Sequence, residues 1–361
     1  MLDFTSALYL GMRHASWSID AWASLTAGRP AALASPTGSR EVAQRLAALQ
    51  GCERALLAPS TLHLFWDLFG VLSGSNVAIY LDEGVYPIAR WGAERAAARG
   101  VPVREFPHHN AQALMKLLKR DAAGGRSPLV VADGFCPGCG KATPVADYIE
   151  CARAFGGHLI LDDTQSLGIL GHSPERDMPY GRGGGGALAW NKVSGPDMVL
   201  ISSLAKGFGV PVAVLSGSER MIRHFESKSE TRVHTSPPSV VAINAARRAL
   251  DLNEDRGDDM RLRLASLVSR FRRQLRKAGF TATGGLFPVQ TLARVKGLDA
   301  ATLHERLLGD GVRAVLHQAR DSDQAQMSFI ITVGHQPDEI DRAVYKLADA
   351  ARRKSKEYQR R

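Results

Sequence analysis

Short apolar runs alternate, over the first two thirds of the chain, with segments whose apolar residues recur at helical spacing. The runs Val77–Leu81, Val101–Phe106, Leu129–Ala132, His158–Leu161, Met198–Ser202 and Val212–Ser216 predict strands. The segments Ser60–Leu72, Ile88–Ala98, Ala111–Lys119 and Pro144–Phe155 predict amphipathic helices. Strand and helix in alternation imply an α/β architecture, a mostly parallel sheet covered on both faces. Ligands of such sheets sit at the carboxyl ends of the strands. After about residue 218 the pattern changes. Helical stretches at Ser239–Leu252 and Asp258–Ala278 precede strand-like pieces at Phe287–Val295 and Met327–Val333, which flank a helix at Ala300–Leu308. A last helix is expected at Pro337–Ala351. This part reads as a smaller α+β domain. The glycine run Gly181–Gly186 does not follow a strand and open a helix, so it reads as a flexible loop.

Composition removes several classes. No run of about 18 apolar residues is present, so no membrane span is expected. The first residues lack a basic stretch followed by an apolar one, so no secretory signal is expected. Four cysteines in 361 residues do not make a disulfide scaffold. A cytoplasmic enzyme is the default expectation. The net charge of +10 raises the question of a nucleic-acid or membrane partner. The terminal segment 351–361 holds six basic residues and one acid, half of that excess. No helix-turn-helix pattern supports nucleic acid, and neither partner is expected.

Four strand ends carry candidate chemistry. In Asp197–Gly209 (DMVLISSLAKGFG) an apolar strand ends in Ser202 and Ser203, whose hydroxyls are candidates to hold a phosphate, then Lys206, then two glycines. A lysine against apolar surroundings has a lowered pKa and can form a Schiff base, whereas an ordinary loop lysine would do nothing. In His158–Gly168 (HLILDDTQSLG) a strand ends in Asp162 and Asp163. An acid there suits a cationic ring nitrogen, although a helix cap is the commoner use. Ser60, Thr61 and Leu62 open a helix, whose first amides and hydroxyls suit an anion. Tyr86 follows a strand and offers a ring to stack on, or simply packs. Anion donors, a stacking ring, an acid and a lysine are together the requirements of pyridoxal 5′-phosphate (PLP).

The sequence resembles the α-oxoamine synthases, the 8-amino-7-oxononanoate synthase-like group of fold type I PLP enzymes, nearly end to end. Residues 2–11 (LDFTSALYLG) are similar to that family's FxSNDYLG opening, Phe106–Asn110 to its F-x-HN segment, and 133–138 (DGFCPG) to its EGVFSMDG turn. Residues 162–171 (DDTQSLGILG) are similar to DDAHxTGVLG, Ser203–Lys206 to T-x-x-K, and 235–238 (TSPP) to ST-x-PP. The resemblance implies a seven-stranded-type sheet in a large PLP-binding domain over 31–250. It also implies a small C-terminal α+β domain over 251–361, with residues 1–30 packing on it. It implies Lys206 as the Schiff-base lysine, Asp162 as the pyridine-nitrogen partner and Tyr86 as ring stacker. Ser60, Thr61 and Ser203 would hold the phosphate, Asp133 would stand as an acid near the cofactor, and Thr235 would reach the phosphate of a neighbouring subunit in a homodimer. The implied reaction forms an external aldimine with an amino-acid-type substrate and acylates its α-carbon from an acyl-CoA or acyl-carrier-protein thioester, usually with decarboxylation.

Three departures leave the reaction type open to an aminotransferase, an aldolase or a racemase. Tyr86 and Gln165 stand where the family has histidines. Residues 326–332 (QMSFIIT) lack the family's carboxylate-gripping arginine, with Arg313 and Arg320 as the candidate substitutes. Cys136 and Cys139 form a lone C-x-x-C, and His63, His108 and His109 show no ligand spacing, so no metal is expected. The basic stretch 258–278 reads as a solvated face or an attraction for an acidic thioester.

Overall fold

The computed structural model describes residues 1–72, 76–294, 299–318 and 324–358. In chain order, the large part contains β1 (Leu2–Asp3), α1 (Ser39–Gln50), β2 (Arg54–Ala58), α2 (Thr61–Leu72), β3 (Val77–Asp82), α3 (Pro87–Ala97), β4 (Val103–Phe106), α4 (Ala111–Asp121) and β5 (Ser127–Asp133). The hairpin β6 (Phe135–Cys136) and β7 (Lys141–Ala142) follows, then α5 (Val145–Arg153), β8 (His158–Asp162), α6 (Ala187–Asn191), β9 (Met198–Ser203), β10 (Ala213–Gly217), α7 (Glu219–Lys228) and α8 (Glu230–His234). After the long α9 (Val240–Lys277) come β11 (Ala282–Thr283), β12 (Val289–Leu292), α10 (Ala300–Gly309), β13 (Val312–Arg313), β14 (Val315–Gln318), β15 (Ala325–Ile330) and α11 (Pro337–Tyr358).

The large sheet has seven strands in the order β2-β10-β9-β8-β5-β3-β4, and only β10 runs antiparallel. Its inner strands are apolar on both faces through their middles, because both faces are covered. Leu129 and Val131 of β5 pack into one core with Phe65, Phe69 and Ile201, while Val130 and Ala132 pack into the other with Tyr148 and Leu200. The fold is α/β, as the residue pattern predicts. The sequence reading misses α1, the edge strand β2 and the β6–β7 hairpin.

The second sheet is a four-stranded antiparallel one in the order β11-β12-β15-β14, with α10 and α11 packed beside it. The chain's start joins this region: β1 pairs with β13, Phe4 stacks on His335 at 4.4 Å and meets Phe329 edge-on at 5.7 Å. The two helices expected over 239–278 are one helix broken at Arg256, where φ is −149°.

One expectation fails here and a second holds only in part. The glycine run is a packed structure. Gly184 and Gly186 have φ of +75° and +88°, and a Cβ on Gly186 would come within 1.9 Å of Asp163. Arg261, buried, holds the run's neighbourhood through Gly168 O (2.9 Å), Asn253 Oδ1 (2.8 Å) and Asp258 Oδ1 (2.6 Å). The basic stretch 258–278 is only in part a solvated face: Arg273, Arg276 and Lys277 are exposed, while other arginines bond within the fold. Arg263 bonds the carbonyls of Val333 and His335, Arg270 pairs with Asp341, and Arg272 bonds Ala282 O and Gln290 Oε1. Of the terminal basic segment, 359–361 lie outside the described residues.

Candidate active site

Every anticipated site residue except Thr235 lies at the carboxyl edge of the large sheet or in a loop leaving it. Register explains the grouping. Asp133 at the end of β5 pairs directly with Asp162 at the end of β8, and Asp162 pairs with Ile201 of β9. Ser203 of β9 and Ala58 of β2 both pair with Ala213, so the Ser60 and Ser203 segments flank one strand.

Lys206 lies three residues beyond β9. Burial pushes its amine below the ordinary lysine value, against the opposing pull of Asp162 and Asp133. A larger share of neutral amine, the nucleophilic form, is therefore present near neutral pH than for a solvated lysine. Its Nζ stands 5.9 Å from the centroid of the Tyr86 ring. Tyr86 precedes α3, with Pro87 as that helix's first residue, and its amide donates to Asp133 Oδ1 at 2.9 Å. Half of Tyr86 is exposed, which leaves a ring face for a planar ligand.

Asp162 is buried, and burial raises its carboxyl above the usual range although Thr164 donates to it and Lys206 lies nearby. A buried carboxyl of this kind gains from a facing cation. The adjacent Asp163 does something else: both its oxygens accept from the Ala187 amide, at 3.0 and 3.2 Å, where α6 starts. Gln165 Oε1 accepts from the Tyr9 hydroxyl at 2.7 Å, so the N-terminal segment orients it.

For the phosphate, α2 presents its first amides above β2. The Ser60 hydroxyl bonds His63 Nδ1 at 2.7 Å, and the Leu62 side chain faces solvent, leaving only its amide for binding. Ser202, a phosphate candidate by sequence, is excluded: its hydroxyl is buried and accepts from Gln50 at 3.1 Å. Ser203 remains at the strand end, its amide held by Thr164 Oγ1 at 3.0 Å. Thr235 donates to Thr231 O at 2.7 Å in its own segment. A desolvated lysine, a buried acid level with a second acid, an open ring and a helix start form a donor set that fits PLP.

The Aminotransferase class I and II family model matches residues 3–347. The chain belongs to that family. Among curated relatives, the 8-amino-7-oxononanoate synthase of Sodalis glossinidius (strain morsitans) is 29% identical over 97% of this chain and 88% of its own length. That of Alcanivorax borkumensis is 27% identical over 96% and 88%. The chain is thus a PLP-dependent transferase, and these relatives are similar to the α-oxoamine synthase group that its motifs resemble. Among solved structures, serine palmitoyltransferase of Sphingomonas wittichii superposes with a TM-score of 0.84 at 17% identity, covering 97% of this chain and 87% of that one. The 8-amino-7-oxononanoate synthase of Francisella tularensis gives 0.77 at 17%, covering 98% and 99%. These likenesses carry the fold type I architecture.

Of the two candidate substitutes for the carboxylate-gripping arginine, the structure describes one. Arg313 lies in β13, exposed, paired with Asp3 in the strand ladder, and its charge helps lower the Asp3 carboxyl. Arg320 lies outside the described residues. Spacing along the chain also missed a cluster: His108, His109 and Cys139 bring their donor atoms within 4.8 Å of one another. The adjacent histidines and the C-x-x-C were each visible, but only the β6–β7 hairpin brings them together.

Proposed function

We propose that this chain joins an amino-acid-type substrate to the acyl group of an acyl-CoA or acyl-carrier thioester, with loss of carbon dioxide. The observation that supports it most is the desolvated Lys206 beside two strand-end carboxylates, in a chain aligned over nearly its whole length with 8-amino-7-oxononanoate synthases. Bound PLP supplies an electron sink for negative charge at the substrate's α-carbon. Asp162 holds positive charge at the ring nitrogen. Tyr86 covers one ring face and keeps water from it. Ser60, Thr61, the Leu62 amide and Ser203 bind the phosphate, and Asp133 fixes the Tyr86 backbone. Gln165, held by Tyr9, would meet the ring's phenolic oxygen. Lys206 Nζ would carry protons to and from the substrate's α-carbon.

The working form in this reading is a homodimer, with Thr235 reaching the neighbouring subunit's phosphate. Exposed Leu62, Trp66 and Trp91 around α2 and α3 supply apolar surface for such an interface. The reading also takes residues 1–30 with a small domain over 251–361, against a large domain over 31–250. It places the enzyme in the cytoplasm; no helix among the described residues is long and apolar enough to cross a membrane.

The test is a substrate panel. Free CoA release that requires both an amino acid and an acyl-CoA supports condensation. Conversion of the bound cofactor to its amine form by an amino acid alone, reversed by a 2-oxo acid, overturns it in favour of amino transfer. Borohydride is expected to fix the cofactor to Lys206, and a Lys206→Ala protein that still holds it covalently removes that assignment.

A further inference from the structure

We propose that His108, His109, Cys139 and Cys136 form a zinc site that braces the cofactor edge of the sheet. The His108 Nε2 lies 3.4 Å from Cys139 Sγ, and His109 Nδ1 lies 4.0 Å from the same sulfur. A tetrahedral zinc with Zn–N about 2.0 Å and Zn–S about 2.3 Å sets its donors about 3.4–3.8 Å apart; the first distance falls in that range, and binding would draw the second pair slightly closer. Cys136 is the candidate fourth donor beside this cluster: its sulfur accepts from the Cys139 amide at 3.4 Å across the C-x-x-C turn.

The surrounding hydrogen bonds point the correct lone pairs inward. Asp82, buried, accepts from His108 Nδ1 at 2.5 Å, which leaves Nε2 as the bare nitrogen. A carboxylate behind a histidine is the usual support of a metal ligand. Asp82 is itself held by Tyr148 (2.7 Å) and by the amides of Gly84 (2.6 Å) and His109 (3.1 Å). On the other ring, His109 Nε2 lies 3.2 Å from the Thr143 hydroxyl, which donates to Asp133 O. That assignment leaves Nδ1 facing the sulfur. Two histidines and two cysteines are the donor types zinc takes in closed structural sites. On binding, each thiol gives its proton to solvent, and the two thiolates neutralise the ion.

The position gives the ion its effect. Asp82 ends β3, immediately before the loop to Tyr86, and Asp133 holds the Tyr86 amide. The hairpin carrying both cysteines also stacks Phe135 on Phe287 at 4.0 Å, in the segment leading into β12. Zinc would therefore lock three chain segments around one edge of the PLP site.

The test measures metal in the full chain, expressed without a polyhistidine tag and dialysed against metal-free buffer. About one zinc per chain is expected. Cobalt replacing it should give a thiolate-to-cobalt charge-transfer band and tetrahedral-intensity visible bands, resolved from cofactor absorbance by difference. His108→Ala and Cys139→Ser should lose the zinc while the cofactor's visible absorbance remains, and Cys136→Ser should weaken zinc at least about tenfold. No zinc uptake from an equimolar solution, no thiolate band with cobalt, or an isolated Cys136–Cys139 disulfide overturns the proposal. The wild-type cobalt spectrum decides even if a variant fails to fold.

Discussion

Adjacent residues of one type are separated by the strand register alone. Asp162 and Asp163 are chemically identical in the sequence, yet Asp162 ends β8 level with Asp133, while Asp163 turns back to the α6 amide. Asp162→Asn is expected to lower turnover by about a hundredfold or more, because the neutral amide no longer holds charge opposite the ring nitrogen. Asp163→Asn should keep turnover within a few-fold, since an amide oxygen still accepts from Ala187. Burial raises both carboxyls, and for Asp163 the consequence falls on stability. Burial pushes Asp163 up to about 7 from 3.8, so its protonated form is favoured in the folded state. Its contribution therefore weakens the fold as pH rises from about 4 to about 7, and Asp163→Asn should flatten that decline. Urea unfolding of both proteins at a series of pH values checks the slope. Equal slopes, or equal loss of turnover in the two variants, would remove the division of labour.

At the scale of elements, the parallel strands were legible because each is apolar on both faces and ends in polar chemistry. The edge strand β2 was not: Arg54 begins it, and four of its five residues are only partly buried. The glycine run was misread because what orders it is remote in sequence. Arg261 reaches Gly168 O, and Asp258 accepts from the Gly183 amide at 2.9 Å. The His108, His109 and Cys139 cluster escaped the sequence reading for the same reason, since His108 and Cys139 lie on different segments. Arg261→Ala is expected to cost about 3–5 kcal/mol, because it strands buried acceptors and opens the contact between α9 and the glycine run. Arg273→Ala on the exposed side of the same helix should change stability by about 0.5 kcal/mol or less. Chemical denaturation of the two variants decides it: similar losses would mean that Arg261 acts only through helix propensity.

At the scale of the whole molecule, the net charge of +10 first suggested a polyanionic partner. Several arginines of α9 instead bond within the fold while Arg273 and Arg276 stay exposed, and in the proposed reading the small anion meets amides and hydroxyls rather than a cationic patch. What the single chain leaves open is Thr235, which is bonded within its own segment and away from the sheet edge that gathers the other site residues. If it serves the neighbouring subunit, each site draws Lys206 from one chain and Thr235 from the other. Lys206→Ala and Thr235→Ala chains should then each be impaired alone. Mixed after unfolding and refolding together, they form hybrid dimers in which one site holds Lys206 and Thr235 both intact and the other lacks both. Equal mixing makes half the dimers hybrid, so about a quarter of all sites regain wild-type composition. Recovery towards that fraction, absent when either variant is refolded alone, supports the shared site. If Thr235 served its own subunit, every site in the hybrid would carry one lesion, and mixing would restore nothing.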